Sequence, residues 1–117
     1  MIELIYSRED PQHLSEIIDF CLEDNTIGII ISTDLSHFYD LEKAKKLDNI
    51  CLNAIAKLNT SMLHKGCEAC GKKGVEAMLV SAKKTNMSAH ILDYRTSADI
   101  TKDSSRVVGY ASAYFTK

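Results

Sequence analysis

The sequence of 117 residues predicts an α/β fold, in which a mixed β-sheet is flanked by helices. Three observations predict this class. Short apolar runs alternate with longer segments whose apolar residues recur at helical spacing. The segments follow the order strand, helix, strand, helix, helix, strand, strand, which favours parallel pairing at first and an antiparallel pair at the end. The length fits one domain with a modest core.

The first three elements are predicted from composition and capping. Residues 2–6 form a short apolar run, typical of a strand. Asp10 and Pro11 suit the N-cap and the first position of a helix, and the apolar spacing that follows extends this helix to about residue 24. Residues 27–32 are almost continuously apolar, which predicts a strand covered on both faces of the sheet.

The strongest periodic signal in the chain lies after Asp40, which can cap a long helix. A short turn over residues 61–64 ends at Gly66, and a third helix is predicted over residues 71–85. Two strands with a polar loop between them close the chain, at residues 88–95, 96–105 and 106–115. The apolar stripe of the long helix consists of Leu41, Ala44, Leu47, Ile50, Cys51, Ala54, Ile55 and Leu58.

Charge is divided unevenly along the chain and excludes few partners by itself. Residues 1–40 carry nine acidic side chains and one base, whereas residues 41–117 carry 13 bases and seven acids. The lysines are scattered along predicted helices without interleaved aromatic residues, so no nucleic acid partner is predicted. No apolar run approaches the length of a membrane span and no secretory leader is recognisable, so we expect a cytoplasmic protein without a membrane partner. Nucleotide-binding glycine motifs and a GxSxG elbow are absent from the sequence.

The first candidate for chemistry is the polar segment that follows the predicted buried strand. In open α/β sheets, ligands bind beyond the carboxyl ends of strands, where Asp34 and His37 are expected to lie. Because they are three residues apart, they can face one pocket, as an acid/base couple or as a metal ligand with its supporting partner. Alternatively, Asp34 and Ser36 only satisfy loop amides and His37 is a half-buried side chain.

The second candidate is the CxxC formed by Cys67 and Cys70, at the predicted start of a helix. A helix N-terminus favours a thiolate, so the pair could be redox-active, and Cys70 could also bind a metal. His64 precedes the pair at a spacing that suits zinc, but no second Cys/His pair would complete four-coordination. Cys21 and Cys51 lie on apolar helix faces and are predicted to be buried, unbridged thiols.

Three segments together resemble the Memo family, called AmmeMemoRadiSam system protein B in prokaryotes. Residues 30–38 resemble its SSDLSH(Y/F) signature, and residues 69–71 resemble its ACG segment. Residues 92–100 and 105–111 resemble its closing LxYxTSGDVT…SxVVGYA stretch. The sequence departs from the family at Thr33, where the family has serine, and at Gly74, where it usually has proline.

The resemblance implies half of a Memo-like domain, with residues 1–117 as its C-terminal half and a fold related to the LigB-type class III extradiol dioxygenases. It implies a pocket that holds iron or copper, with Cys70 as a metal ligand and His37 beside it. Together with the three-residue spacing noted above, this makes His37 and Asp34 the catalytic candidates. The remaining histidines of the pocket belong to an N-terminal half, so a separate N-terminal half or a homo-oligomer is the partner expected. The lone residues His13, His64 and His90 match none of the family's pocket positions. The family also includes a eukaryotic member that acts in signalling, which implies a non-catalytic interaction module as the alternative.

Overall fold

Eight helices and strands follow one another along the chain in a computed structural model that describes all of residues 1–117. The elements are, in order, α1 (Pro11–Leu22), β1 (His37–Tyr39), α2 (Leu41–Ala56), α3 (Thr60–Leu63), α4 (Lys72–Lys84), β2 (Ser88–Thr96), α5 (Ala98–Thr101) and β3 (Val107–Thr116). Helices α1, α2 and α4 are long, whereas α3 and α5 are single turns. The predicted α/β class is confirmed.

Helices α1 and α2 begin where the sequence offers a capping side chain. The Asp10 carboxylate accepts a hydrogen bond from the backbone N–H of Gln12 at 2.9 Å, and Asp40 accepts one from Lys43 at 3.0 Å. Each bond satisfies an amide that has no partner within its own helix. Helix α4 has no such cap and begins directly after Gly71. Helix α5 lies in the segment that was predicted to be a polar loop.

The sheet has three strands in the order β1-β3-β2, and both pairings are antiparallel. The predicted final hairpin is confirmed, since Ser88 pairs with Thr116 at one end of the ladder and Thr96 with Gly109 at the other. Strand β1 pairs with β3 across a bulge at Phe38, whose φ of 66° lies in the left-handed region. This bulge follows His37 directly.

The two strands predicted at residues 2–6 and 27–32 are wrong, and the parallel pair they implied is absent. Both segments lack regular secondary structure and belong to no ladder. Tyr6, Ile29 and Ile31 pack at the edge of the core, but Ile2 and Ile30 are 98% and 90% exposed, so the runs are covered on one side at most. A strand is defined by its hydrogen-bonded neighbour, and neither segment meets one here.

The core lies between the sheet and the helices. Helix α2 packs against β2 and β3, and α1 packs against α4. The largest buried cluster joins α2, α3 and α4 to the segment before α4, through Leu35, Cys51, Ala54, Ile55, Leu63, Cys67, Ala69, Val75 and Leu79. A second cluster between α1 and α4 consists of Leu14, Ile18, Ala77, Met78, Ala82 and Met87.

None of the helices combines the length and the hydrophobicity that crossing a membrane would require.

Candidate functional site

The segment of residues 33–37, which we call the His37 arm, runs alongside β3. The Leu35 N–H donates to the Gly109 carbonyl at 2.9 Å, and the Gly109 N–H donates to the Ser36 carbonyl at 3.0 Å. Leu35 and Ser36 are buried, so the arm is anchored to the interior of the protein. The arm therefore delivers His37 to the start of β1 in a fixed register.

Asp34 and His37 lie side by side, as their spacing predicted. The Asp34 Oδ2 is 3.5 Å from the His37 Nε2. The Asp34 side chain is 48% exposed and that of His37 is 32% exposed, so both remain accessible to a ligand. A carboxylate at this distance can orient an imidazole, which is the arrangement that an acid/base pair requires.

The segment of residues 67–71, which we call the Cys70 arm, lies against the His37 arm. The Cys70 N–H donates to the Asp34 carbonyl at 3.2 Å, and the Gly71 N–H donates to the Thr33 Oγ1 at 2.7 Å. The same Thr33 hydroxyl is 3.4 Å from the Cys70 Sγ. The structure therefore brings the two candidates that the sequence singled out, the Asp34–His37 pair and Cys70, onto adjoining arms.

Tyr6 closes the other side of the Cys70 arm, a contact that the sequence did not suggest. Its hydroxyl donates to the Gly71 carbonyl at 3.1 Å, and burial raises the pKa of this phenol. A Cβ atom on Gly74 would overlap the Tyr6 ring and hydroxyl. Glycine at this position therefore makes room for Tyr6 near the start of α4.

The arms are joined at a third point, through strand β1. The Tyr39 hydroxyl donates to the Glu68 carboxylate at 3.0 Å, and this carboxylate raises the pKa of Tyr39. The Lys43 ammonium lies 4.3 Å from the centre of the Tyr39 ring. The junction is thus made of hydrogen bonds at Thr33, Cys70, Gly71 and Tyr39.

The cysteines pair differently from the prediction. Cys51 and Cys67 form a disulfide, so Cys51 is buried but is not the free thiol that was expected. Because Cys67 is bonded to Cys51, a Cys67–Cys70 redox pair is not formed, and the thiol oxidoreductase hypothesis loses its second cysteine. Cys70 is free and exposed, and Cys21 is free and half-buried. The position of a cysteine on the apolar face of a helix predicts that it is buried, but it does not predict which other cysteine lies close enough to form a disulfide.

Two of the lone histidines have partners away from the two arms. The His64 Nε2 is 2.8 Å from the Glu76 carboxylate, and the His90 ring stacks on Tyr114 at 4.7 Å. Neither joins the arms.

Asp48 supports the His37 arm from inside the protein and was missed in the sequence. It is fully buried; its Oδ1 accepts from the Ser36 N–H at 2.8 Å and its Oδ2 from the Tyr94 hydroxyl at 2.6 Å. Burial, followed by the hydrogen bond to Asp48, raises the pKa of Tyr94. A Cβ on Gly109 would overlap the carboxylate. The signal in the sequence was the spacing, because Asp48 lies four residues after Ala44 and three before Cys51, on the apolar face of α2.

The donors on the two arms suit a transition metal in kind, but they do not complete a site. A thiolate and an imidazole are ligands that iron, copper and zinc accept. No three His, Cys, Asp or Glu side chains of residues 1–117 converge closely enough to hold an ion. A complete coordination sphere therefore needs ligands beyond those that this chain brings together.

Comparison with known proteins identifies the family. The family model described as Memo-like protein matches residues 2–114. The chain is 31% identical to a MEMO1 family protein of Sulfurisphaera tokodaii over 98% of its own length and 43% of that relative's. It is 34% identical to one of Desulfurococcus amylolyticus and 40% identical to one of Methanococcus maripaludis, over 76% and 74% of its length. These matches cover 33% and 32% of the two relatives, so the chain spans well under half the length of the curated proteins it matches. The chain belongs to the Memo family.

Proposed function

We propose that residues 1–117 form the C-terminal half of a Memo-like domain with a LigB-like fold, and that they contribute one part of a metal site. Cys70 is the metal ligand in this proposal, and His37 with Asp34 is the catalytic pair beside it. The observation that carries the proposal is the junction at Thr33, whose hydroxyl accepts from the Gly71 N–H and lies 3.4 Å from the Cys70 Sγ. It holds a thiol next to the arm that carries a carboxylate and an imidazole.

The missing ligands come, in this proposal, from an N-terminal half or from a second copy of the chain. Two features support a missing partner. The chain covers 43% or less of each of the three relatives described above. The apolar segments 2–6 and 27–32 leave Ile2, Ile5 and Ile30 at least 90% exposed, although each segment has the composition of a buried strand. A partner strand would cover these side chains and satisfy the backbone beside them.

The chemistry assigned to the residues follows from their donor types. Cys70 binds as a thiolate, and Asp34 orients the His37 imidazole through Nε2, so that a proton is held or released at Nδ1. Iron or copper bound there would supply redox chemistry, and the fold resemblance predicts a non-haem metal-dependent oxidoreductase. The cytoplasmic location stays a prediction, and disulfides such as Cys51–Cys67 are uncommon in that compartment.

Metal titration tests the proposal, with Cys70→Ala as the variant and Cys21→Ala as the matched control. Fe(II), Cu(I) and Zn(II) are added under anaerobic conditions to the chain alone and to the chain mixed with the N-terminal part of the Sulfurisphaera relative. We expect tight binding only in the mixture, lost on Cys70→Ala and retained on Cys21→Ala. Equal affinities for the two variants in every preparation would contradict a ligand role for Cys70.

A non-catalytic interaction module is the second candidate, favoured by the exposed apolar segments. In this case the same surfaces at Ile2, Ile5 and Ile30 serve to dock a protein, and no metal is needed. Sedimentation velocity over a range of concentrations tests self-association. A chain that stays strictly monomeric and folded at high concentration would count against a self-docking surface, and aspartate at Ile30 should weaken any association that occurs.

A further inference from the structure

Helix α2 contacts both arms of the candidate site, by two different kinds of bond. Asp48 and Cys51 lie one turn apart on its buried side, and they are 0% and 1% exposed. Asp48 accepts a hydrogen bond from the Ser36 N–H at 2.8 Å, next to His37. Cys51 is bonded covalently to Cys67, at the start of the Cys70 arm. One turn of helix therefore anchors both arms.

Helix α2 fixes the His37 arm through a buried hydrogen-bond network that contains no cation. Tyr94 donates to the second oxygen of Asp48 at 2.6 Å, so both carboxylate oxygens have a donor. The space for the carboxylate exists because residue 109 is glycine. A buried polar group with its hydrogen bonds satisfied is rigid, and a reductant does not change it.

Helix α2 fixes the Cys70 arm differently, through a disulfide, which a reductant can cleave. Cys70 lies three residues after Cys67 and is itself free and exposed. Without the disulfide, the arm keeps the burial of Ala69 and a set of hydrogen bonds: those of Cys70 and Gly71 to Asp34 and Thr33, of Tyr39 to Glu68 and of Tyr6 to Gly71. Such partly exposed hydrogen bonds are easily opened by local fluctuation.

We propose that α2 is the positioning element of the candidate site and that the Cys51–Cys67 disulfide makes the placement of Cys70 depend on thiol redox state. A small dithiol reduces the disulfide with two electrons and two protons; Cys51 and Cys67 become thiols, and the dithiol closes into a cyclic disulfide. The Cys70 arm is then released, whereas the His37 arm stays fixed by Asp48. The inference rests on the proposed function only for the role of Cys70 as a ligand.

Residue-resolved amide hydrogen exchange on the 117-residue chain tests this, with no metal present. The chain is compared before and after treatment with excess dithiol, and complete reduction is confirmed when the free thiols rise from the two of the structure to all four cysteines. We expect the Cys70 and Gly71 amides to exchange about tenfold faster or more after reduction, because their arm opens locally. The Ser36 amide should change by less than about twofold, since its acceptor on α2 is untouched.

Variants test separately the attachment of each arm to α2. The double variant Cys51→Ala, Cys67→Ala should exchange like the reduced protein, with or without dithiol. Asp48→Ala should show the opposite pattern, with faster exchange at Ser36 and little change at Cys70, and Asp48→Asn should restore slow exchange because an amide oxygen can still accept. Alkylation of Cys70 by iodoacetamide, with Cys21 as the internal control, should accelerate only in the reduced protein.

Two results would overturn the proposal. Unchanged exchange at Cys70 and Gly71 after complete reduction would show that the disulfide does not hold the arm. If hydrogen exchange accelerated equally at remote amides, such as that of Met87, which donates to the Ala82 carbonyl at 2.8 Å, the disulfide would be shown to stabilise the whole fold and not the arm in particular. Because no metal is used, a failure here is distinct from a failure of Cys70 to bind one.

Discussion

The two ends of this chain treat their apolar side chains in opposite ways. From residue 41 onward the large apolar residues of α2, α3 and α4 are packed under the sheet, and Leu63 and Leu79 are completely buried. Before residue 33, α1 contributes buried residues, Tyr6, Ile29 and Ile31 pack only at the edge of the core, and Ile2, Ile5 and Ile30 face solvent. The helices after residue 41 therefore bury most of their apolar surface, whereas the N-terminal segments have the composition of a buried region but leave several isoleucines exposed.

The largest expected effect separates these two parts directly. We expect Leu79→Ala to lower the free energy of unfolding by about 3 kcal/mol, because the cavity lies in the main cluster. Ile30→Ala, the matched control, should change it by less than about 0.5 kcal/mol, since Ile30 is 90% exposed. Urea unfolding of both variants measures the difference. Comparable losses would mean that the N-terminal segment is already packed in this chain.

A pair of glycines gives a second, smaller contrast. In Gly109→Ala the new methyl group would overlap the Asp48 carboxylate, and we expect a loss of about 2 kcal/mol. Gly28→Ala places a Cβ where nothing lies within 4 Å, so it should be neutral or slightly stabilising. Thermal unfolding compares the two. A neutral Gly109→Ala would contradict the tight packing of β3 on Asp48.

Capping of α2 contributes less than either core contact. Asp40→Ala removes the acceptor of the Lys43 N–H and should cost about 1 kcal/mol. Asp40→Asn should retain most of that free energy, because its side-chain oxygen can accept the same bond. If the two variants are equally destabilised in chemical unfolding, the charge of Asp40 matters more than the cap.

The smallest effect concerns pH and the attachment of α1. The Asp19 carboxylate is 2.7 Å from the Lys84 ammonium; burial opposes the effect, but this bond lowers the pKa of Asp19 below its ordinary value of 3.8. An aspartate whose pKa is lower in the folded than in the unfolded protein stabilises the fold at pH values above its unfolded-state pKa. This contribution is lost as the pH falls through its folded-state pKa. Asp19→Asn should therefore be slightly less stable at neutral pH, and the difference should vanish in acid. A difference that persists at low pH would point to packing instead.

The sequence predicted what depends on local chemistry. Asp10 and Asp40 marked helix starts because capping needs only a side chain and the next few amides. Helical spacing placed α2 and α4, and two strands separated by a polar loop predicted the antiparallel pairing of β2 with β3. The Asp34–His37 contact followed from a spacing of three residues.

What the sequence did not predict depends on partners far along the chain. An apolar run such as residues 27–32 indicates burial on both faces but does not identify the neighbour that provides it. The pairing of Cys51 with Cys67 and the network of Asp48 with Tyr94 each join residues at least 16 positions apart. Strand β1 has only three residues, too few for any periodicity to register.

Because of the bulge at Phe38, the direction in which the His37 side chain points depends on the number of residues in β1. Successive side chains of a strand point to opposite faces, and a shift of one position exchanges the faces. Pairing of His37 with Val108 and of Tyr39 with Val107 accommodates one extra residue between them. Deleting Phe38 would remove that extra residue and force either His37 or Tyr39 to the opposite face, although the composition of the motif would hardly change. An insertion or deletion in this short stretch would thus reorient the site more than most substitutions within it.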